Sequence, residues 1–516
     1  MKRMMNKKAF ILSASLFAML TATAQQVNDY IIVGNKDELR AAIKQVNANT
    51  SGNRQFIFMK NGDYDYGLYY NYKNYSNYNP LGRDTIKVDN VSLIGQRARH
   101  SGNNPAPADG STEKGVLIHI KPSKEDLSTT APIINQGSGC YLQDFTIEND
   151  FKISGTARAC CWHDEGNHTI GKNVCLLSYQ DTYYAHKADG QFYWETSDLR
   201  GTVDFLCGNG DVFFNKCKLV NRDRQPYDKY TNQGEATLSA PYTQVEDFNQ
   251  PGGHGFIFMD CTIDCESSIW IFGRGWRGWP KEAFINTTLT EQARLRLGTN
   301  QTDPKNKEDK TKRVSLTGIQ TTEDAHYMQF HEYNTMDENG NNITPETNVL
   351  TFKAHDSGTY ETVLQASEID KYQLRNVYPD WTPDQECRQI AVTSVTRSGN
   401  SLSWTTGEPA KAFLIEQDGD FVTIVAGTET SANVTPINSG KFTVRAANMM
   451  GGFGEPMEEG NSATGINLSP ALSQGEGDSA KTSQLTDFGE SVNLAGQKVS
   501  KGYKGISIVN GTKVLR

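Results

Sequence analysis

The sequence predicts an all-β protein, a stacked parallel β-helix followed by a small β-sandwich. Three observations predict it. Short β runs bounded by Gly, Asn and Asp recur from about residue 30 to 385, among them VSLIG (91–95), GVLIHI (115–120), NVCLLSY (173–179) and GFIFMDCTID (255–264). A unit of strand, aromatic or Cys, Asn or Asp, then another short strand repeats in YLQDFTIEN, VFFNKCKLVN and IFMDCTID. That is the pattern of an irregular solenoid, in which each coil buries its inward side chains against the next. The third observation is a change of character near 388, where a strictly alternating stretch begins and carries Trp404 on an early strand. Coil lengths vary, so pattern rather than period supports the β-helix. A β-sandwich over residues 30–385 is the alternative.

MKRMMNKK is a basic n-region, AFILSASLFAML an apolar h-region and Ala22-Thr23-Ala24 a cleavage site. Residues 1–24 therefore read as a signal peptide, too short in its apolar run to span a membrane, and the mature protein is expected at the cell surface or secreted. Residues 25–385 form the expected β-helix domain. KDELRAAIKQVNA (36–48) is its one helical candidate. The Tyr/Asn tract at 63–80 reads as a loop, and residues 223–253 and 299–313 as excursions from the coil. Residues 388–456 resemble a fibronectin type III sandwich. Residues 457–485, rich in Ser, Gly, Glu and Asn, read as a flexible linker. Residues 486–516 resemble the C-terminal sorting tails of bacterial type IX secretion cargo.

Composition narrows the function. A net charge of −9 argues against nucleic acid as a partner. No segment after the leader approaches a transmembrane run, and a monomer is expected. Nine cysteines are present, an odd number, so at least one lacks a partner within the chain. Most lie in alternating apolar runs, where buried small hydrophobes are expected rather than a disulfide framework.

The chemistry is concentrated in SYQDTYY (178–184) and GTVDFLCGNG (201–210), each with one aspartate in an apolar and aromatic setting. The interval from Asp181 to Asp204 is 23 residues, about one coil of a β-helix. Equivalent positions on successive coils stack at about 4.8 Å. Two carboxylates that close share a proton, which yields one neutral acid beside one charged base or nucleophile. IWIFGRGWRGW offers Arg274 as a cation that can grip Asp204 through paired hydrogen bonds, and Trp276, two residues on, as a sugar-stacking face. Gln180 offers an amide donor to a developing oxyanion.

At these residues the sequence resembles the pectin methylesterases, the carbohydrate esterase family built on a right-handed parallel β-helix. The family's YQDTLY block is matched by Tyr179-Gln180-Asp181-Thr182-Tyr183-Tyr184, its GTVDFIFG block by Gly201 through Gly208, and its LGRPW block by Phe272-Gly273-Arg274-Gly275-Trp276. The resemblance covers roughly residues 30 to 380. It implies that Asp204 attacks the C6 methyl ester of a galacturonate and that Asp181 is the general acid, then the general base. It further implies that Gln180 stabilises the oxyanion, that Arg274 orients Asp204, and that Tyr184 and Trp276 line a groove for homogalacturonan. No metal or organic cofactor is implied. Three positions depart from the family. Arg158 stands where a second oxyanion glutamine is usual, Cys207 replaces an aromatic residue, and Gly275 replaces a proline. Rival readings are a glycoside hydrolase on the same scaffold, for which carboxylates about 5 Å apart are also suited, a pectate lyase, for which no acidic calcium cage is visible, and a glycan-binding protein with a decayed site.

Overall fold

The protein's architecture is taken from a computed structural model, which describes residues 25–69, 83–99, 114–122, 131–150, 158–223, 235–297, 326–353 and 357–462, with three short strands between 491 and 515. The leader at 1–24 and most of the linker at 457–485 lie outside the described residues.

The described residues between Tyr30 and Tyr333 wind into a right-handed parallel β-helix. Among the described residues its three faces are sheets of eleven, eight and eight strands, to which successive coils contribute one strand each. Through the middle of the helix the order is Thr169–Lys172, Cys175–Leu177, Tyr183–Ala185, then Gln191–Glu195, Asp198–Gly201, Leu206–Gly208. Each of the second three pairs in parallel with its counterpart in the first. Inward side chains stack coil upon coil. Phe214, Phe258 and Phe284 form a column with ring centroids 4.9 and 4.4 Å apart and planes within 6°, and Trp162, Tyr183 and Leu206 form another, each fully buried.

The repeated Asn or Asp of the sequence unit has a backbone reason. Between the first and second faces the chain turns through one residue in the left-handed region: Asp144, Asn173, Asp260, Asn286 and Asn334 all have φ between 50° and 60°. Asn and Asp tolerate that conformation best among residues with a side chain. In VFFNKCKLVN the left-handed residue is Lys216 and not the neighbouring Asn215.

Lys36–Asn47 is the expected helix. The Asn35 side chain accepts from the Glu38 N–H, and Glu38 accepts in return from Asn35 and from the Gly34 N–H. Leu39, Ala42, Ile43 and Val46 are buried on one face, so this helix closes the N-terminal end of the coil. Two expectations need correction. The Tyr/Asn tract begins inside a strand, Gly62–Tyr69, with Tyr64 and Tyr66 buried and their hydroxyls donating to the Val33 carbonyl and to Asp84; residues 70–80 lie outside the described residues. The excursion at 223–253 contains a full strand of the third face, Glu235–Thr243. Pro241 within it masks the strand pattern, because proline cannot donate to a sheet ladder. Residues 299–313 lie outside the described residues.

The alternating stretch forms two antiparallel sheets, one of Val392–Ser398, Ser401–Thr406 and Ser431–Asn433, the other of Asp420–Ala426, Ala412–Gln417, Phe442–Ala446 and Met457–Glu458. Trp404, Leu402, Phe413, Ile415 and Val444 fill the space between them. The sandwich is docked on the first face of the helix. Leu414, Ile424, Met450 and Phe453 pack against Tyr30, Phe56, Phe58 and Ile94. Arg445, buried in the contact, donates to Asp144 at 2.7 Å and to the Gln96 carbonyl at 2.6 Å.

Candidate active site

The opening strand of the third face sets the geometry. Along it the inward ladder runs Trp162, Tyr183, Leu206, Ser239, and the outward ladder runs His163, Tyr184, Cys207, Ala240. Asp181 and Asp204 precede the two middle strands at matching places: the Asp181 N–H donates to the Val203 carbonyl at 3.1 Å, and the Tyr183 N–H to that of Phe205 at 2.8 Å. The 23-residue interval is therefore one coil. Both aspartates are left-handed, with φ 56° and 50°, a conformation that is strained for most side chains and is concentrated at functional sites.

Close packing holds this turn. A Cβ at Gly201 would strike Phe205, the Thr182 hydroxyl and the Tyr179 carbonyl, so only glycine lets the coil carrying Asp204 settle onto the coil carrying Asp181. Gly273 plays the same part for Arg274, since a Cβ there would strike the Ser239 hydroxyl and the buried Glu282 carboxyl.

Arg274 and Trp276 lie just past the strand Ile269–Gly273. Their N–H groups still donate to the Ser239 and Pro241 carbonyls at 3.0 and 3.1 Å, so the alternation continues and both face the same side. Gly273 pairs with Ser239, which sets Arg274 beside Ala240. That small residue leaves room for the guanidinium to reach back and donate to Asp204. Burial works against the charge on Arg274, and Asp204 more than restores it, so the guanidinium titrates above its ordinary value.

The Asp181 side chain is 14% exposed and that of Asp204 is 6% exposed. Burial first, and the neighbouring Asp204 second, push the Asp181 carboxyl up to about 7, while Arg158, Arg274 and the Gln180 amide pull it down. Arg158 Nε lies 3.2 Å from Asp181 Oδ2. Arg158 also bridges to Gln180 across one coil, and the Ala159 N–H donates to the Gln180 carbonyl at 2.8 Å. Arg158 thus occupies the upstream position read from the sequence and forms an ion pair with the acid itself.

Tyr184 and Trp276 face one another with ring centroids 6.4 Å apart. All seven residues singled out in the sequence therefore meet on one face. Others nearby were not singled out. Tyr242 meets Trp276 edge-on at 5.8 Å, the Arg277 guanidinium lies 5.2 Å from the Trp276 ring, and His163 and His186 stack on Tyr184. Pairing across coils, not spacing along the chain, brings them in. Cys160 and Cys207 are buried beside the aspartates, their thiols pushed well up by burial first, with Asp181 contributing to both. All nine cysteines are buried and none is in a disulfide, as the apolar setting of most of them suggested. A cavity of about 430 Å³ lined by Tyr242, Gln244, Arg277 and Trp279 extends the aromatic surface. A larger one, about 920 Å³, lies between His168, Gln191 and the segment 367–380, away from both aspartates.

This arrangement can offer a proton from Asp181 near neutrality while Arg274 provides Asp204 with a countercharge. Two carboxyl groups whose surroundings hold one neutral and the other charged can divide acid and nucleophile between them.

The chain is similar to several known proteins. Residues 108–298 match the Pectinesterase family model. Pectinesterase A of Dickeya dadantii is 26% identical over 328 residues, which span 58% of this chain and 80% of that protein. Pectinesterase 2.2 of Solanum lycopersicum is 32% identical over 177 residues, spanning 32% of this chain and 30% of that protein. The chain spans less than half the length of other relatives, such as the probable pectinesterase/pectinesterase inhibitor 16 of Arabidopsis thaliana, of which 47% is covered at 25% identity. Among solved structures, the pectin methylesterase PemA from Erwinia chrysanthemi aligns over 70% of this chain and 99% of its own, with 19% identity and a TM-score of 0.45.

Proposed function

We propose that the chain is a secreted pectin methylesterase that hydrolyses the C6 methyl esters of homogalacturonan to methanol and pectate. The observation that carries the reading is the pairing of Asp204 with Arg274 while Asp181, one coil away, keeps its proton up to about pH 7. A charged nucleophile and a neutral acid then coexist at the pH where esters are stable in water.

The steps follow from that division. An Asp204 oxygen attacks the ester carbonyl, and the tetrahedral oxyanion is stabilised by the Gln180 amide, with Arg158 in place of a second amide. Asp181 gives its proton to the departing methoxide, leaving methanol and an acyl-enzyme. Asp181, now ionised, takes a proton from water as the hydroxide attacks the acyl carbon. The acid product leaves, Asp204 is free again and Asp181 regains its proton. Tyr184 and Trp276 hold the sugar rings, and no cofactor enters these steps.

The match of residues 108–298 to the Pectinesterase family supports this reading, as does the similarity to pectinesterases of plants and of Dickeya dadantii. Within it, residues 25–385 are the catalytic domain. The sandwich expected at 388–456, whose last strand Met457–Glu458 runs into the expected linker, is read as fibronectin type III-like, supported by its division into a three-stranded and a four-stranded antiparallel sheet. Residues 486–516 are read as a sorting tail, and 1–24 as a leader removed on export. A glycoside hydrolase would also use two close carboxyl groups, but the arginine clamped on one of them and the amide beside the other favour ester chemistry.

The test is to incubate the protein with highly methylated pectin and follow methoxy groups and reducing ends together. Loss of methoxy groups without new reducing ends is expected. New reducing ends with the methoxy groups intact would overturn the esterase reading in favour of a glycosidase, and no change in either would favour a binding protein.

A further inference from the structure

Next to Tyr184 three side chains outside the proposed chemistry converge. His163 Nε2 lies 3.4 Å from Glu165 Oε1 and 3.4 Å from His186 Nδ1, and that Nδ1 lies 3.9 Å from the same Glu165 oxygen. The two 3.4 Å separations are those of ligands on a small tetrahedral cation, and the third would close by about 0.5 Å on binding one. Bonds of about 2.0–2.1 Å to zinc put neighbouring tetrahedral ligands about 3.3–3.4 Å apart. Two imidazole nitrogens facing each other this closely need something positive between them, a proton or a metal ion.

We propose that His163, Glu165 and His186 form a binding site for a divalent cation of the zinc class, with the fourth position open to solvent at the rim of the groove.

The fold builds this triangle. His163 lies on the strand Trp162–Asp164 and Glu165 follows it directly. His186 follows Tyr183–Ala185, the strand paired with the first, and its N–H donates to the Asp164 carbonyl at 2.7 Å. The second oxygen of Glu165 is held by the Gln136 amide at 2.8 Å, and the Glu165 N–H donates to the Asn135 carbonyl at 2.7 Å. Such outer contacts fix a ligand's direction before the ion arrives. The Tyr184 ring stacks on both imidazoles, with centroids 4.8 and 4.9 Å away. His163 is buried, Glu165 is a third exposed and His186 about half exposed, so the triangle opens on one side only. Two imidazoles, a carboxylate and an open position make a donor set suited to zinc. The site is independent of the ester chemistry, to which it contributes no group.

The experiment is titration of the untagged protein with cobalt(II), read by its visible absorption, beside Glu165→Gln and His186→Ala, whose exposed positions spare the fold. One cobalt per chain with the strong visible bands of a four-coordinate site is expected. Both variants should lose those bands while keeping the wild-type circular dichroism, and Gln136→Ala should weaken binding by on the order of tenfold. Absence of the bands in the wild type, or bands unchanged in both variants, would overturn the site. A thiolate charge-transfer band persisting in the variants would place the cobalt on cysteine and overturn it equally.

Discussion

Asp181 and Asp204 stand at equivalent places on successive coils, both in left-handed backbone, and are held by different arginines: Arg158 beside the first, Arg274 donating to the second. The asymmetry of those partners, added to burial, divides one pair of like residues into an acid and a nucleophile.

The raised Asp181 carboxyl has a consequence for stability. Its ordinary value is 3.8 and its folded value about 7, so the folded state binds the proton more tightly than the unfolded one. The contribution is fully present below about pH 4, declines as pH rises through about 7, and is lost above. Its size is on the order of a few kcal/mol. Urea unfolding at pH 5 and pH 8 should show the wild type losing stability between them by more than Asp181→Asn does. Equal losses would contradict the shift.

Arg158 lowers the Asp181 carboxyl from 3.2 Å away. Replacing it by the neutral amide of Arg158→Gln removes that pull. The alkaline limb of the kcat/KM profile should move to higher pH by on the order of one unit. An unmoved limb would mean that Arg158 does not act through Asp181.

Arg274 reaches Asp204 through Nη2 alone and not through the paired bonds expected from the sequence; Arg274→Lys keeps the charge but replaces that fixed N–H with a compact, strongly hydrated ammonium. We expect kcat to fall by roughly a hundredfold with little change in KM, the pattern of an interaction needed in the transition state. A change in KM alone would assign Arg274 to substrate binding.

The sandwich is predicted to be part of the folded unit. Breaking a buried ion pair by removing one partner costs about 3–5 kcal/mol, so Arg445→Met should lower the unfolding midpoint markedly, and Asp144→Asn in the same chain should recover much of the loss. Independent unfolding of residues 388–456, unaffected by either change, would contradict the docked arrangement.

The fold and the candidate site were largely legible in the sequence, for a local reason. In a β-helix the neighbours of a coil are the coils before and after it, so Asp181, Asp204 and Gln180 lie close in space because they lie one coil apart in sequence. The left-handed Asn and Asp turns also leave a direct trace, as at Asp144 and Asn173. What lay hidden depends on sideways or distant contact. Pro241 disguised a strand, and two tyrosines of the 63–80 tract proved to be buried donors. Tyr242, His163 and His186 join the groove only through pairing across coils. The docking of the sandwich rests on contacts some three hundred residues apart in sequence, such as Arg445 with Asp144, which no local pattern announces.

Whether Asp204 is the nucleophile of an ester hydrolase is read from methanol release. The mature protein and its Asp204→Ala variant are given highly methylated pectin at neutral pH, with the fold of both checked by circular dichroism. Methanol is expected from the wild type, and from the variant at a rate at least about a thousandfold lower. Comparable rates from two equally folded proteins would contradict it.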